Sequence, residues 1–504
     1  MTHGESAKRF TLDTFWALLS LATMIGVGII IGILIGNLGT GKIGLGTYSM
    51  VLTVWTIVYV TAGFGIPNTV IKFVAEYKDN KEERDSIVST SIVTGVAMGV
   101  STSIALFLLS WYIEALFGMP NLGFLLRMVS LAFPFIVIND IFIGILNARR
   151  MMRHYAIFEV FRRGNLLVYT IAFVWLGLGI PGAVMALVLS PMSASVVAIA
   201  YHSKLFTFRL KSFRARVKRI VKFSGQLYMS SSVELVNAQA ATILIAGFMK
   251  SADAVGTYAT ALMLFTLLVV LSQAIQRVTF PAFSTYFGQG NGELVERMTK
   301  IIIRFTFVLL SIASLILIFF VDDIIRVIFP TKYEYLAAVT PLRFLAVIGV
   351  IYGMMVAIGS IFTSANRPDI SLKIAIFQAI FNVSVAVLLI PISYTILGIQ
   401  IGGVNGATIA FGLTLFLTVI IFFVLMKSML RFNLGLRFVI VGYILFLAVV
   451  TAGFFLTSYL GFEGNLVGAI LIPLYSAGLL YFGLVFKGGL QAVIEILGFR
   501  RPST

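Results

Sequence analysis

Apolar residues run along this chain in long blocks separated by short polar stretches, from Phe15 to Phe486. The blocks reach about 20 residues or more, the length a helix needs to cross roughly 30 Å of hydrocarbon. Hydrocarbon offers no partner to a backbone N–H or C=O, so such blocks predict membrane-spanning helices. Fourteen are expected, near 14–36, 46–74, 87–111, 123–146, 157–179, 182–201, 223–249, 256–280, 301–321, 338–363, 371–391, 403–426, 438–459 and 465–486. A single apolar N-terminal stretch would suit a cleaved signal, whereas a series predicts a polytopic protein. Connectors of at most about 20 residues leave no room for a soluble catalytic domain. The expected fold class is an all-α polytopic membrane protein.

Composition agrees. Hydrophobic residues make up 59% of the chain and charged residues 11%, against roughly a quarter charged in soluble domains. The net charge of +17 would suit nucleic acid if it were clustered, but it is distributed by side. Connectors on the N-terminal side of the expected membrane carry 29 Lys and Arg, and those on the opposite side carry six. This asymmetry follows the positive-inside rule, which places both termini in the cytoplasm and the chain in the cytoplasmic membrane, with no nucleic-acid partner. The most basic connector, 202–222 ("HSKLFTFRLKSFRARVKRIVK"), reads as a membrane-surface segment facing lipid headgroups. With no cysteine, disulfides and thiolate chemistry are excluded.

Residues 35–49, "IGNLGTGKIGLGTYS", imitate two nucleotide-binding loops. A phosphate-binding loop needs a preceding strand and a Ser or Thr after its lysine; here a helix precedes and Ile43 follows Lys42. No nucleotide partner is expected. The glycines suit a tight reversal between spans, and part of the stretch repeats. Gly46-Thr47-Tyr48 recurs as Gly256-Thr257-Tyr258, and Leu126-Arg127 as Leu342-Arg343. Ala156-Ile157-Phe158-Glu159 recurs as Ala375-Ile376-Phe377-Gln378, and Gly182-Ala183 as Gly406-Ala407. The offsets grow slowly from 210 to 224. Six spans in each copy make the repeat parallel. It predicts an N-terminal lobe over 1–203, a C-terminal lobe over 204–430, and two added helices with a cytoplasmic tail over 431–504.

The motifs "GTGKIGLGTYSMVLT", "FGIPNTVIKFVAEY" and "GVNGATIA", set in twelve spans plus two, resemble the multidrug/oligosaccharidyl-lipid/polysaccharide exporter superfamily. Within it they are similar to the polysaccharide branch, the Wzx-type flippases. The resemblance implies two six-helix lobes around a central cavity that opens to one side at a time. It also implies that a polyprenyl-pyrophosphate-linked oligosaccharide is moved from the cytoplasmic to the outer leaflet. Membrane lipids would be the other partner. No cofactor is implied; transport would draw on H⁺, Na⁺ or the membrane potential.

Ionisable groups inside spans are costly, so each is a functional candidate. Glu234 lies mid-span, and Ser230, Glu234 and Asn237 share a helix face, a coupling candidate. Arg127 and Arg343 occupy matching repeat positions, suited to clamping a pyrophosphate near the outer mouth, since a guanidinium binds oxyanions bidentately. Snorkelling to headgroups is their bland alternative. Lys72 and Arg277, near the cytoplasmic ends of equivalent spans, would line an inner vestibule. Glu159 and Arg163, at i and i+4, form an expected structural ion pair. Their repeat counterparts Gln378 and Asn382 keep polarity without charge and suit sugar hydroxyls. Asp140 is a second coupling candidate or a counter-charge for Arg127, although 13 residues separate the two.

Three rivals remain. An enzyme acting on polyprenyl glycans would need acid and base groups in a sizeable outer segment, and Asp322-Asp323 alone are weak ground for one. A cation-coupled multidrug antiporter of the same superfamily would favour an acidic cavity, which only Glu234 hints at. A nonspecific scramblase would ignore ion gradients.

Overall fold

The computed structural model describes residues 3–77, 79–202, 206–210, 213–330, 332–392, 394–396, 399–434 and 436–485. The expected cytoplasmic tail after residue 485 and parts of the basic connector, 203–205 and 211–212, lie outside the described residues.

The chain forms two compact units, Met1–Ala259 and Thr260–Thr504. The first holds α1 (His3–Gly36), α2 (Gly41–Gly63), α3 (Ile66–Glu76), α4 (Lys81–Phe117) and α5 (Leu122–Ser130). It continues with α6 (Phe133–Ala148), α7 (Met152–Trp175), α8 (Gly179–His202) and α9 (Phe213–Met249). Helix α10 (Ala252–Gly288) starts in the first unit and runs into the second. There follow α11 (Gly292–Phe319), α12 (Val321–Ile328), a 3₁₀ turn (Tyr333–Ala338), α13 (Val339–Ile358), α14 (Ile361–Ser364) and α15 (Pro368–Leu389). A small hairpin, β1 (Thr395–Ile396) with β2 (Ile399–Gln400), precedes α16 (Gly403–Met429), α17 (Arg437–Tyr459) and α18 (Gly464–Val485).

Among the described residues, ten helical stretches are long and apolar enough to cross a membrane, or eleven when the bent pair α5–α6 counts as one. Shorter apolar stretches lie at Ala22–Gly36 and Gly464–Leu479. By this measure the expected count of fourteen is not reached. The stretch at 157–179 falls out because Glu159, Arg162 and Arg163 occur together in α7. Three charges in one span are a physical anomaly that an apolar count registers as a gap.

Breaks in the spans have local causes. Between α2 and α3, Phe64 and Gly65 are both left-handed, at φ 42° and 70°. A Cβ at Gly65 would also lie 2.6 Å from the Ser224 carbonyl of α9, so glycine is required twice over. Helix α9 is held there by a 2.7 Å Thr69–Ser224 hydroxyl bond and by stacking of Phe64 on Tyr228. Helices α5 and α6 meet at a bend of 48°, with Pro134 in the first turn of α6, where its missing N–H costs nothing. Asn80 caps α4, accepting from the Glu83 N–H at 3.1 Å.

The repeated Gly-Thr-Tyr motif is a helix crossing. A Cβ on Gly46 would overlap the Ala252 carbonyl, and one on Gly256 would overlap the Lys42 carbonyl. The backbones of α2 and α10 therefore touch, as small residues allow in membranes. Tyr48 and Tyr258 are buried beside the crossing. Lys42, itself buried, pairs with Asp253 at 3.0 Å. In the second unit, Gly442 and Gly453 receive the rings of Phe307 and Phe319, which docks α17 on α11.

Gly46→Ala and Gly256→Ala are each expected to destabilise the protein by about 1–3 kcal/mol, the usual cost of overpacking. Gly26→Ala, inside α1 with nothing within 4 Å of the added methyl, is the control and leaves thermal unfolding in detergent unchanged or slightly raised, since alanine favours a helix over glycine. Equal unfolding midpoints for all three would contradict the crossing.

Candidate functional site

Helices α6 and α7 carry the most unusual chemistry of the first unit. Arg162 of α7 donates from Nη1 to Asp140 Oδ1 of α6 at 3.2 Å and from Nη2 to Glu159 Oε1 at 2.7 Å. The second carboxylate oxygen of Glu159 lies 3.8 Å from Arg163 Nε. The Tyr59 hydroxyl of α2 hydrogen-bonds Asp140. Asp140 and Glu159 are each only 8% exposed. Two guanidinium groups and two carboxylates thus form a cluster of zero net charge, the one form in which such groups tolerate burial.

The backbone that carries this cluster is itself pinned. Ser190 of α8 donates to the Arg162 carbonyl at 2.8 Å. Asn139, next to Asp140 but facing α8, donates to the Pro191 carbonyl at 2.9 Å and accepts from Ser195 Oγ at 3.2 Å. Adjacent residues of α6 therefore serve two networks, one locking α8 and one completing the charge cluster.

Arg162 stands between two cavities. One, of about 330 Å³, is polar and includes Tyr59, Asn68, Asp140, Glu159 and Ser231 of α9 in its walls. The other, of about 280 Å³, lies toward the N-terminal half of α2, with Tyr48, Trp55 and Arg163 in its walls. Tyr59 and Arg162 line both. The Nε atoms of Arg162 and Arg163 are buried and have no hydrogen-bond acceptor among the described residues. Such donors are expensive to leave unmet, so the cluster has hydrogen-bonding capacity in reserve for an oxyanion.

The residues singled out from the sequence are scattered. Asp140 belongs to the cluster, paired with Arg162 and not with Arg127; packing of α6 against α7 supplies a nearer cation than its own helix does. Arg127, in the last turn of α5, donates to the Gly123 carbonyl at 3.3 Å and lies 5.3 Å from the centre of the Trp111 ring. Arg343, in the second unit, pairs with Asp322 at 2.9 Å and donates to the Ile318 carbonyl at 3.2 Å. Lys72 is exposed, its ammonium 4.0 Å above the Phe223 ring, and Arg277 is exposed on α10. Ser230 and Glu234 lie on the exposed face of α9, with Asn237 half-buried one turn on. Gln378 is half-buried on α15, and Asn382 is buried with its Oδ1 unpaired among the described residues.

The expected Glu159–Arg163 pair is the looser contact; the close partner of Glu159 is Arg162, at i+3. Arg162 does not stand out by spacing, because it lies near the end of a stretch, 147–163, dense in arginine, which suits a membrane surface. Its signal in the sequence is a second arginine one turn from an acid at the start of an otherwise apolar span.

The basic connector also finds partners. Arg216 donates to Glu83 at 3.2 and 2.6 Å, Arg219 pairs with Glu76 at 3.3 Å, and Arg209 pairs with Glu82 at 3.4 Å. The Thr207 N–H donates to Asp85 Oδ2 at 3.0 Å. The connector is strapped along α4 by the acids around its start.

Comparison with known proteins agrees with this architecture. A family model described as polysaccharide biosynthesis protein matches residues 13–287, and one described as MatE matches 230–388. The chain is 25% identical over 433 residues to the lipopolysaccharide biosynthesis protein WzxC of Escherichia coli (strain K12), covering 82% of this chain and 80% of WzxC. The lipid II flippase MurJ in an inward closed conformation superposes with a TM-score of 0.71 at 16% identity, covering 94% of this chain and 100% of that one. An inward-facing multidrug resistance MATE family transporter of the MOP superfamily gives 0.68 at 18% identity, over 82% of this chain and 94% of that one. At these identities the two structures speak for the fold alone. The model match spans more than half of the sequence, so the chain belongs to the polysaccharide biosynthesis protein family.

Proposed function

We propose that this protein is a transporter, not an enzyme, and moves a polyprenyl-pyrophosphate-linked oligosaccharide from the cytoplasmic to the outer leaflet of the cytoplasmic membrane by alternating access. The observation that carries the reading is Arg162, its side chain only 16% exposed between two cavities, with bonded carboxylates and a spare donor. A pyrophosphate entering the polar cavity meets a guanidinium already stripped of most of its water, whose carboxylate partners it can replace. The desolvation cost is met on folding, so it does not fall on the binding step. Hydroxyls and amides in the same wall, Tyr59, Asn68 and Ser231, suit sugar hydroxyls. WzxC, a similar protein, is named for lipopolysaccharide biosynthesis.

In this reading both termini are cytoplasmic, and the cavity beside Gly63 and Asn147 is the inner one. Residues 1–203 and 204–430 form the two lobes that rock. Lys72 and Arg277 draw the headgroup in; Arg127 and Arg343 receive it at the outer mouth; Gln378 and Asn382 contact the glycan. Glu234, one turn from Ser231, carries the coupling ion. A drug antiporter fits less well, because both carboxylates in the cavity wall, Asp140 and Glu159, are already paired with Arg162 and offer an organic cation no free charge.

Reconstituted vesicles test the assignment. The protein is expected to turn over a polyprenyl-pyrophosphate oligosaccharide and to leave cationic dyes in place; dye export without glycolipid movement would establish the antiporter instead. Arg162→Gln alone strands the buried Asp140 and leaves Glu159 only its 3.8 Å contact to Arg163, and should cost about 3–5 kcal/mol of stability. The neutral quadruple variant, Arg162→Gln and Arg163→Gln with Asp140→Asn and Glu159→Gln, should recover most of that stability yet flip at least tenfold more slowly. Normal flipping by the quadruple variant would make the cluster purely structural.

Arg127→Ala with Arg343→Ala should abolish turnover while the protein still folds and inserts, and unchanged flipping would remove the outer clamp. Glu234→Gln should keep glycolipid binding and lose the response of flipping to an imposed proton or sodium gradient. A retained response would assign coupling elsewhere.

A further inference from the structure

Beneath the connector lies a cleft of about 570 Å³ that the charge cluster does not touch. Its walls are Ile92 of α4, Ile138 and Phe142 of α6 and Ile199 of α8, and Phe206 and Phe208 of the connector roof it. Thr207 is the sole polar residue of the lining among the described residues. The cleft reaches the surface, since Ile199 and Phe208 are 57% and 58% exposed. Its size is that of a pocket for one extended apolar molecule.

The rim of this cleft is cationic. Phe142, Leu146 and Arg149 succeed one another at i, i+4 and i+7, so Arg149 stands above the apolar wall just past the end of α6. Tyr201, in the last turn of α8, packs edge-on against Phe142 and carries the same rim across to α8. The Arg149 guanidinium donates no hydrogen bond to, and forms no ion pair with, any described residue. Burial and the neighbouring charge of Arg84 lower its affinity for its proton, and the Asp85 carboxylate and Tyr201 offset this only in part, so an anion would stabilise it further. Arg84 lies 3.4 Å from Asp85, whose other oxygen holds the Thr207 N–H of the roof. An apolar slot beneath a guanidinium in no direct ion pair, its nearest acid Asp85 being engaged by Arg84 and the Thr207 N–H, is chemically complementary to an anionic amphiphile.

We propose that this cleft binds an anionic phospholipid of the cytoplasmic leaflet, one acyl chain in the slot and the phosphate on Arg149 and Arg84. The bound chain fills the space between α4, α6, α8 and the connector, and so holds the strap in place. The site rests on the membrane orientation given above but not on the glycan; its test measures no transport, so it can fail while the flippase reading stands.

The test uses the full chain in nanodiscs, with Phe206→Trp as a reporter in the roof and the unmodified protein as the baseline for its four native tryptophans. Phosphatidylglycerol and phosphatidylcholine carrying brominated acyl chains are titrated as quenchers. Quenching of the added tryptophan should show a preference for phosphatidylglycerol of about fivefold or more, the factor expected for one interfacial arginine. Arg149→Gln, a half-exposed position whose change leaves folding intact, should abolish the preference and retain residual quenching. Equal quenching by both lipids, no quenching above the baseline, or an unaltered preference in Arg149→Gln would each overturn the proposal. Displacement of the brominated lipid by equimolar polyprenyl phosphate would also overturn it, by assigning the cleft to the substrate's tail.

Discussion

Burying a guanidinium in the middle of a membrane protein sets conditions on everything around it. Arg162 is tolerated because α6 brings Asp140 to one side of its fork while α7 itself supplies Glu159 to the other. That requirement fixes how α6 and α7 pack, and the Ser190 and Asn139 bonds to α8 hold the packing in register. Tyr59 joins α2 to the same carboxylate. Four helices of the first unit thus converge on one cation. Replacing such a cluster by apolar side chains is often neutral or stabilising, so stability alone is a weak reason for its presence. Its place in the walls of two cavities is the stronger one.

The architecture was readable from the chain because bilayer physics is written in long runs. Apolar blocks lead to membrane-spanning helices without any tertiary information. The Gly-Thr-Tyr repeat was readable too, though not its purpose: only the structure turns Gly46 and Gly256 from loop punctuation into points of backbone contact. The site was less legible. Spacing along one helix suggested Glu159 with Arg163, but partner choice depends on what faces the helix from outside. Asp140 is 22 residues from Arg162 in sequence, and no periodicity links them. The connector misled in a similar way. Its arginines read as lipid-facing, and Glu76, Glu82 and Glu83 sit too far back in the chain to be suspected as their partners.

The two halves of the sequence repeat differ where function would separate them. Glu159 and Arg163 of the first unit correspond to Gln378 and Asn382 of the second, and the position matching Arg162 is Phe381. A duplicated scaffold that holds an ionic centre in one copy and amides in the other suits a substrate that is itself divided. An anionic headgroup needs guanidinium groups, whereas a glycan needs neutral donors and acceptors. Asn382, buried with an Oδ1 unpaired among the described residues, mirrors in the second unit the reserve capacity of Arg162 in the first.

The central claim is that a pyrophosphate exchanges with carboxylates on Arg162. A cryo-EM structure of the protein bound to a polyprenyl-pyrophosphate oligosaccharide tests it most directly. The account predicts phosphate oxygens about 3 Å from the guanidinium groups of Arg162 and Arg163. At least one of the present contacts to Asp140 and Glu159, 3.2 and 2.7 Å, should then be lengthened beyond hydrogen-bonding range. A headgroup bound elsewhere, with both contacts unchanged, would contradict it.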